Sequence, residues 1–436
     1  MSWSVSLSAG LTLLLVTLLT GAPIFVAFLL LNIGAVGALF GSAGFGLFSN
    51  SMLNTAVSAT LVPIPLFVLM GEVLFRSGSV EVAFNSVDTL VGRMKGRLYV
   101  FTTALSVLFG ALSGSAAAVV AMLGRSVLPT MVKRNYDIQL SATVIMGGAS
   151  LAPIIPPSLL AVVIGSVADV SIARLLIAGV IPGIILAGLI IVWVYLRMWR
   201  DPSLAPTEDE QAPPAPGEKL KAALRMVPFG FIIFSVMGLI LLGVATPSEA
   251  AATGVTGALI TAAIYRKLTW KMFWESAMSA ASISTLLLII VCSAVLFSQL
   301  LAFTGATAGL VSLVTGIDVH PYVMLFLLML IPFFICMFMD QFAFMMIAIP
   351  IYEPIIKALQ FDPVWFWALF LINLTVGSVT PPFGYTMFAL RGAAQETMTL
   401  TQVFRAAWPV AGIFLFGILI FSLFPPLVTW LPNLVK

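Results

Sequence analysis

The chain has 436 residues, of which 61% are hydrophobic and only 8% charged, with a mean hydropathy of +1.14. Soluble proteins carry about 25% charged residues, so a water-soluble enzyme or a nucleic-acid-binding module is excluded. Runs of about 20 apolar residues fit bilayer-crossing helices, and the apolar/polar alternation of a membrane barrel is missing, which leaves an all-α polytopic membrane protein.

In chain order, apolar segments are expected at 5–20 and 22–41, punctuated by Gly21-Ala22-Pro23, and at 60–76. Met1–Ala9 lacks the basic residues that open a secretory signal, so no cleavable leader is expected. Glu81–Arg97 is amphipathic and suits a helix lying on the membrane surface. Residues 98–132 are interrupted by Ser113-Gly114-Ser115 and end at Lys133-Arg134, on the face where they begin. A re-entrant hairpin accounts for this better than one helix. A broken segment at 139–169 and another at 172–196 complete a first half, residues 1–197.

Residues 198–225, rich in Pro, Ala and charge, read as a solvated linker. The second half, 226–436, repeats the order with segments at 226–244, 247–265 and 282–303 and a short surface piece at 307–317. A hairpin at 321–356 centred on Met339-Asp340, a broken segment at 363–392 and a last crossing at 406–428 follow. The register between halves is exact to the residue. Pro129, Asp137, Pro156 and Pro157 recur as Pro354, Asp362, Pro381 and Pro382, each at an offset of 225 (362 − 137). Five crossings and one hairpin per half make the halves inverted repeats. Proline-broken helices at matching positions are a sequence pointer to a transporter's binding site. With the linker in the cytoplasm, only Arg174, Lys357 and Lys436 fall on the far side and Arg125 within a hairpin, so the other sixteen of the 20 basic residues are cytoplasmic.

The breaks carry the chemistry. Proline supplies no N–H, so Ala152–Pro157 frees carbonyls at membrane depth, where backbone must find partners in protein, water or ions. With the Ser113-Gly114-Ser115 tip they can form an oxygen cage for a hard monovalent cation, in practice Na⁺, and Gly377–Pro382 with the Met339-Asp340 tip repeats the arrangement. The competing reading is that Gly, Ser and Pro here only permit kinks and close packing. Asp340, matched by Ser115, fits a cation-linked acceptor, a hairpin-fixing acceptor or a plain helix cap. Arg125 either faces an aqueous cavity and an anionic substrate or snorkels onto backbone carbonyls. Glu249 in TPSEAA reads as part of a helix-start capping box, His320 as interfacial, and Cys292 and Cys336 as small core residues. No nucleophile–base set, metal cluster or phosphate-binding glycine loop is present, which argues against an intramembrane enzyme and an ATP-driven pump.

The stretches LSGSAAAVVAMLG (112–124), LAPIIPPS (151–158), TPSEAAATGV (246–255), FMDQFAFMMIAIPIYEPI (338–355) and NLTVGSVTPPFGYTMFA (373–389) resemble, in order, the large membrane subunit of tripartite ATP-independent periplasmic (TRAP) transporters. The glycine that family usually places before IPPS is Ala152-Pro153 here. The resemblance implies an elevator-type secondary importer with two or more Na⁺ sites. By motif these fall on Ser113, Ser115, Ala152, Ile155 and Pro156, and on Asp340, Gly377, Thr380 and Pro381. Ser150, Arg125, Asn373 and Thr375 are candidate substrate contacts. The resemblance further implies an anionic solute such as a dicarboxylate or sialic acid, delivered by a periplasmic binding protein. It implies a separate small four-helix membrane subunit, a bacterial inner-membrane location among lipid, and no nucleotide. A stand-alone Na⁺/dicarboxylate symporter of the same superfamily is the alternative.

Overall fold

The computed structural model describes residues 2–91, 94–206, 217–394 and 397–435, and among these the regular elements are all helical. Arg93, Lys436 and the central linker residues 207–216 lie outside them.

The first half begins with α1 (Trp3–Leu19), α2 (Ile24–Phe40), α3 (Gly44–Ala56) and α4 (Pro63–Arg76). Next come α5 (Ser79–Val91), α6 (Arg97–Ser113), α7 (Ala116–Ser126), α8 (Leu128–Lys133) and α9 (Ile138–Ala149). It closes with α10 (Leu159–Val167), α11 (Ile172–Ala178) and α12 (Val180–Arg200). In the second half, α13 (Glu218–Ile233) passes through a wider turn into α14 (Leu239–Leu241), then α15 (Pro247–Ile264), α16 (Trp270–Phe303) and α17 (Ala306–Thr315). The remaining helices are α18 (Pro321–Ile335), α19 (Gln341–Ala358), α20 (Pro363–Val379), α21 (Tyr385–Ala394), α22 (Leu400–Leu423) and α23 (Pro426–Thr429). Eight helical stretches among the described residues are long and apolar enough to cross a membrane.

Burial divides the helices into two kinds. Helix α20 is buried along nearly all of its length, from Val364 to Val379, and α9 from Leu140 to Ala149. A helix that is apolar all round and buried all round belongs to the centre of a bundle. Helices α1, α2 and α13 instead leave Leu13, Leu15, Leu19, Leu30, Leu220 and Phe231 exposed. Around the centre, α6 and α7 pack on α9, and α18 and α19 pack on α20. The second hairpin arm of each half also meets the far half of the other broken helix: α7 lies against α21 and α19 against α10. Helices α4, α15 and α16 pack together with α2 and α3, and α4 and α16 join this group to the centre by packing on α6 and α19.

The helix starts repeat with the sequence. Asp137 caps α9 by accepting from Leu140 N (2.7 Å), and Asp362 caps α20 by accepting from Trp365 N (2.9 Å). The Pro156-Pro157 and Pro381-Pro382 peptide bonds are both cis. The capping box expected at Thr246 and Glu249 is formed, both cysteines are buried, and His320 Nδ1 accepts from Tyr322 N at the start of α18.

Three expectations shift. Helix α3 (Gly44–Ala56) fills a stretch to which the sequence assigned no segment, because its Ser, Asn and Gly residues depress its hydropathy. Helix α16 starts at Trp270, not at 282; its first turns carry Lys271 and Glu275 at the surface, with Trp270 and Trp274 exposed beside them. The linker expected over 198–225 is ordered at both ends: α12 runs to Arg200 and α13 starts at Glu218. Leu204 is buried, and its carbonyl accepts from the Tyr99 hydroxyl (2.6 Å) and Asp137 N (3.2 Å). A single leucine with two hydrogen bonds thus pins the start of the linker to the first hairpin and the first broken helix.

At the base of that hairpin the Arg97 side chain is 6% exposed and pairs with Asp88 of α5, itself 35% exposed. Removing one partner of a buried ion pair costs about 3–5 kcal/mol, and the exposure of Asp88 reduces that. Asp88→Ala is expected to destabilise the detergent-solubilised protein by about 2 kcal/mol, read as a lower thermal unfolding midpoint. An unchanged midpoint would remove this pair from the hairpin's anchoring.

Candidate functional site

Each hairpin tip sits on the break of the broken helix beside it. In the first half, Gly114 adopts a left-handed conformation (φ +61°) that lets the chain reverse between α6 and α7. A Cβ there would lie 3.4 Å from Pro157 O and 3.4 Å from Leu159 N. One turn earlier, a Cβ on Gly110 would lie 3.0 Å from Ala152 Cα. The Ser113 hydroxyl accepts from Ser115 N (3.3 Å), and the Ser115 hydroxyl caps α7 by accepting from Ala118 N (3.4 Å). Ser113, Ser115, Ala152, Ile155 and Pro156 therefore belong to one local assembly of tip and break.

In the second half the contact is tighter. A Cβ on Gly377 would meet Cys336 Cβ at 2.4 Å, so only glycine lets the hairpin break seat on α20. Phe383 N donates to Met337 O (3.2 Å), joining break to tip, and Phe338 lies against Phe383 with ring centroids 5.9 Å apart. Asp340 caps α19: its Oδ1 accepts from Phe342 N (2.9 Å) and Ala343 N (3.2 Å). It occupies the same place on α19 as Ser115 does on α7, but brings a charge. Asp340, Gly377, Thr380 and Pro381 form the second assembly.

The backbone of both breaks is rich in acceptors without donors. Among the described residues no hydrogen bond reaches the carbonyls of Ala152, Ile155 and Pro156, nor those of Thr380 and Pro381. Gly377 O does accept, from Thr380 N at 3.2 Å. Buried carbonyls ordinarily find partners, so free ones suit a cation. Helices α7, α10 and α19 begin at the tips and breaks, and helix N-termini favour negative charge. Carbonyls without donors and anion-favouring N-termini thus share each assembly.

Two hydroxyls had no part in the sequence reading. Ser158 donates to Pro153 O, and Thr386 donates to Ser378 O (3.0 Å). Pro153 and Ser378 are repeat-related, so the same carbonyl is satisfied in both halves by a hydroxyl from different positions. The signal was available only for Ser158, which directly follows the Pro-Pro pair.

The candidate substrate contacts separate. Ser150 is buried at the end of α9, and its hydroxyl has no partner among the described residues. Thr375, its repeat mate, is buried and donates back to Leu371 O (2.9 Å). Asn373 is buried, and its Nδ2 donates to Met329 O, fastening α20 to α18. Arg125 is brought to neither break. It is exposed at the end of α7 and lines an open cavity of about 820 Å³ with Asn85, Ser126 and Thr130. Ala118, in the first turn of α7, lines the same cavity, so it starts close to the first tip.

Residues 11–427 match the family model for the tripartite ATP-independent periplasmic transporter, DctM component. The ectoine/5-hydroxyectoine TRAP transporter large permease protein of Ruegeria pomeroyi is 30% identical over 77% of this chain and 78% of its own length. The C4-dicarboxylate TRAP transporter large permease protein of Pseudomonas aeruginosa is 28% identical over 88% of each chain. The 2,3-diketo-L-gulonate TRAP transporter large permease protein of Escherichia coli K12 is 28% identical over 88% of this chain and 89% of its own. Among solved structures, the YdaH transporter of Alcanivorax borkumensis shares the fold at a TM-score of 0.66 and 14% identity, over 92% of this chain and 97% of that one. With the match extending over nearly its whole length, the chain belongs to the DctM family of tripartite ATP-independent periplasmic transporters, as a multi-pass large permease subunit and not an enzyme.

Proposed function

We propose that this subunit is the permease of a Na⁺-coupled importer in the bacterial inner membrane. It takes an anionic, carboxylate-bearing solute from a periplasmic binding protein, works beside a separate small four-helix membrane subunit, and keeps its linker in the cytoplasm. The halves 1–197 and 226–436 act as inverted repeats. Their hairpins and broken helices (α6–α10 and α18–α21) move as one body, elevator-fashion, against a scaffold containing α1, α2, α13 and α15. The observation that carries this reading is the recurrence, 225 residues apart, of a hairpin tip seated on a broken helix with unsatisfied carbonyls. The solutes named for the relatives are ectoines, C4-dicarboxylates and 2,3-diketo-L-gulonate, and each of these bears a carboxylate. Similarity to TRAP subunits over almost the entire chain favours the tripartite form over a stand-alone symporter. Uptake into vesicles reconstituted with the partner chains and binding protein is expected to require Na⁺ and not ATP. Full uptake in K⁺ medium without a Na⁺ or proton gradient would overturn the coupling.

A further inference from the structure

Gln341 is the first residue of α19 and directly follows Asp340 at the second hairpin tip. It is only 7% exposed. Its Nε2 donates to the Tyr385 hydroxyl at 3.0 Å, while its Oε1 is buried without a partner among the described residues. Tyr385 opens α21, immediately beyond the break at Thr380–Gly384. The pair therefore bridges the hairpin tip and the far lip of the break, and leaves the buried side-chain carbonyl unused. A buried acceptor without a donor has given up its water and received nothing in return.

The first half has no counterpart. The residues 225 positions before Gln341 and Tyr385 are Ala116 and Leu160, both buried and apolar. Asp340 and Thr386 stand where the first half has Ser115 and Ala161. The second site thus carries polar side chains at four positions where the first carries one hydroxyl. Packing two helix starts together needs only what Ala116 and Leu160 supply, so the amide and the phenol are additions. An amide carbonyl is a neutral hard oxygen, chemically like the free backbone carbonyls of Thr380 and Pro381, and suits the same kind of cation.

We infer that the side-chain carbonyl of Gln341, positioned by Tyr385, is a further oxygen ligand of the second Na⁺ site. This rests on the Na⁺-coupled reading above. Tyr385 acts through Gln341: it holds the Nε2 end of the amide and so fixes where Oε1 points.

The test is thermal unfolding of the purified full-length chain against Na⁺ concentration, with choline keeping ionic strength constant, and Na⁺-dependent uptake read in parallel. Wild type is expected to gain stability with Na⁺. Gln341→Leu is expected to raise the Na⁺ concentration for half-maximal stabilisation about tenfold. Tyr385→Phe should raise it by a smaller factor, about threefold. Gln341→Glu, which keeps an oxygen at the site, should restore a half-saturation at or below that of wild type. If Gln341→Leu does not fold, Gln341→Glu and Tyr385→Phe decide the matter by the same readout. Identical half-saturation in all variants, with wild type still stabilised by Na⁺, overturns the assignment of Gln341 and leaves Na⁺ coupling standing. A shift confined to the substrate half-saturation of uptake would also overturn it, making the amide a substrate contact. Absence of any Na⁺-specific stabilisation in wild type overturns the underlying reading and this inference with it.

Discussion

Gly377→Ala is expected to lower uptake by at least about tenfold while the protein still inserts into the membrane. The added Cβ would lie 2.4 Å from Cys336 Cβ, 3.1 Å from Cys336 C and 3.2 Å from Cys336 Cα. None of these atoms is the free end of a flexible side chain, so relief requires moving α18 away from α20. That movement strains the Phe383 N to Met337 O bond that joins the second break to its tip. Overpacking of this kind costs about 1–3 kcal/mol, and here the cost falls on the seating of the candidate cation site. Cys336→Gly removes the 2.4 Å contact and leaves the two longer ones, so the double variant should recover part of the lost activity. Gly230→Ala in α13 is the control: among the described residues no atom beyond its chain neighbours and its own helical backbone lies within 4 Å of its added Cβ, and alanine favours a helix interior. Wild-type uptake by Gly377→Ala at matched membrane levels would show that the second hairpin does not need to sit closed on α20.

Why the repeat is legible in the sequence, while other parts of the site are not, follows from which interactions are local. Pro156, Pro157, Pro381 and Pro382 interrupt a helix by their own covalent structure. Asp137 and Asp362 cap helices whose first turns lie three residues away. Such features are fixed by the residue and its near neighbours, so they survive as spacing. The Gln341–Tyr385 bond joins residues 44 positions apart, and in sequence Gln341 is merely a polar residue in a first helical turn. Thr386 reads in the same way, as a second-position residue of α21, until the fold brings its hydroxyl onto Ser378 O. Helix α3 and the first turns of α16 escape notice for another reason. Their exposed polar and charged residues depress the hydropathy of any window that contains them, although burial of Ser276 and Ala280 on one face holds α16 in place. Arg125 is visible as an intramembrane charge, but only the packing of α4, α5 and α7 shows that it faces an open cavity and neither break.

Asp340→Asn separates two roles that the structure superposes on one side chain. The carboxylate caps α19 through Oδ1, and it stands exposed at the tip that seats on the second break. Asparagine retains the capping oxygen, so the helix start should hold; alanine loses it, at a cost of about 1 kcal/mol. Both substitutions remove the charge. At a separation near 4 Å and an effective dielectric of about 20, a unit charge pair is worth about 4 kcal/mol. Desolvation offsets much of this, and a remainder of about 1.4 kcal/mol corresponds to a tenfold change in affinity. Asp340→Asn is therefore expected to unfold at the wild-type temperature and to need about ten times more Na⁺ for half-maximal uptake. Asp340→Ala should show the same Na⁺ requirement together with a lower unfolding temperature. The measurement is uptake rate against Na⁺ concentration at matched protein levels, with thermal unfolding of each variant alongside. If Asp340→Asn kept both the half-saturation and the maximal rate of wild type, the carboxylate would be a helix cap alone. The charge difference between Asp340 and Ser115 would then have no bearing on transport.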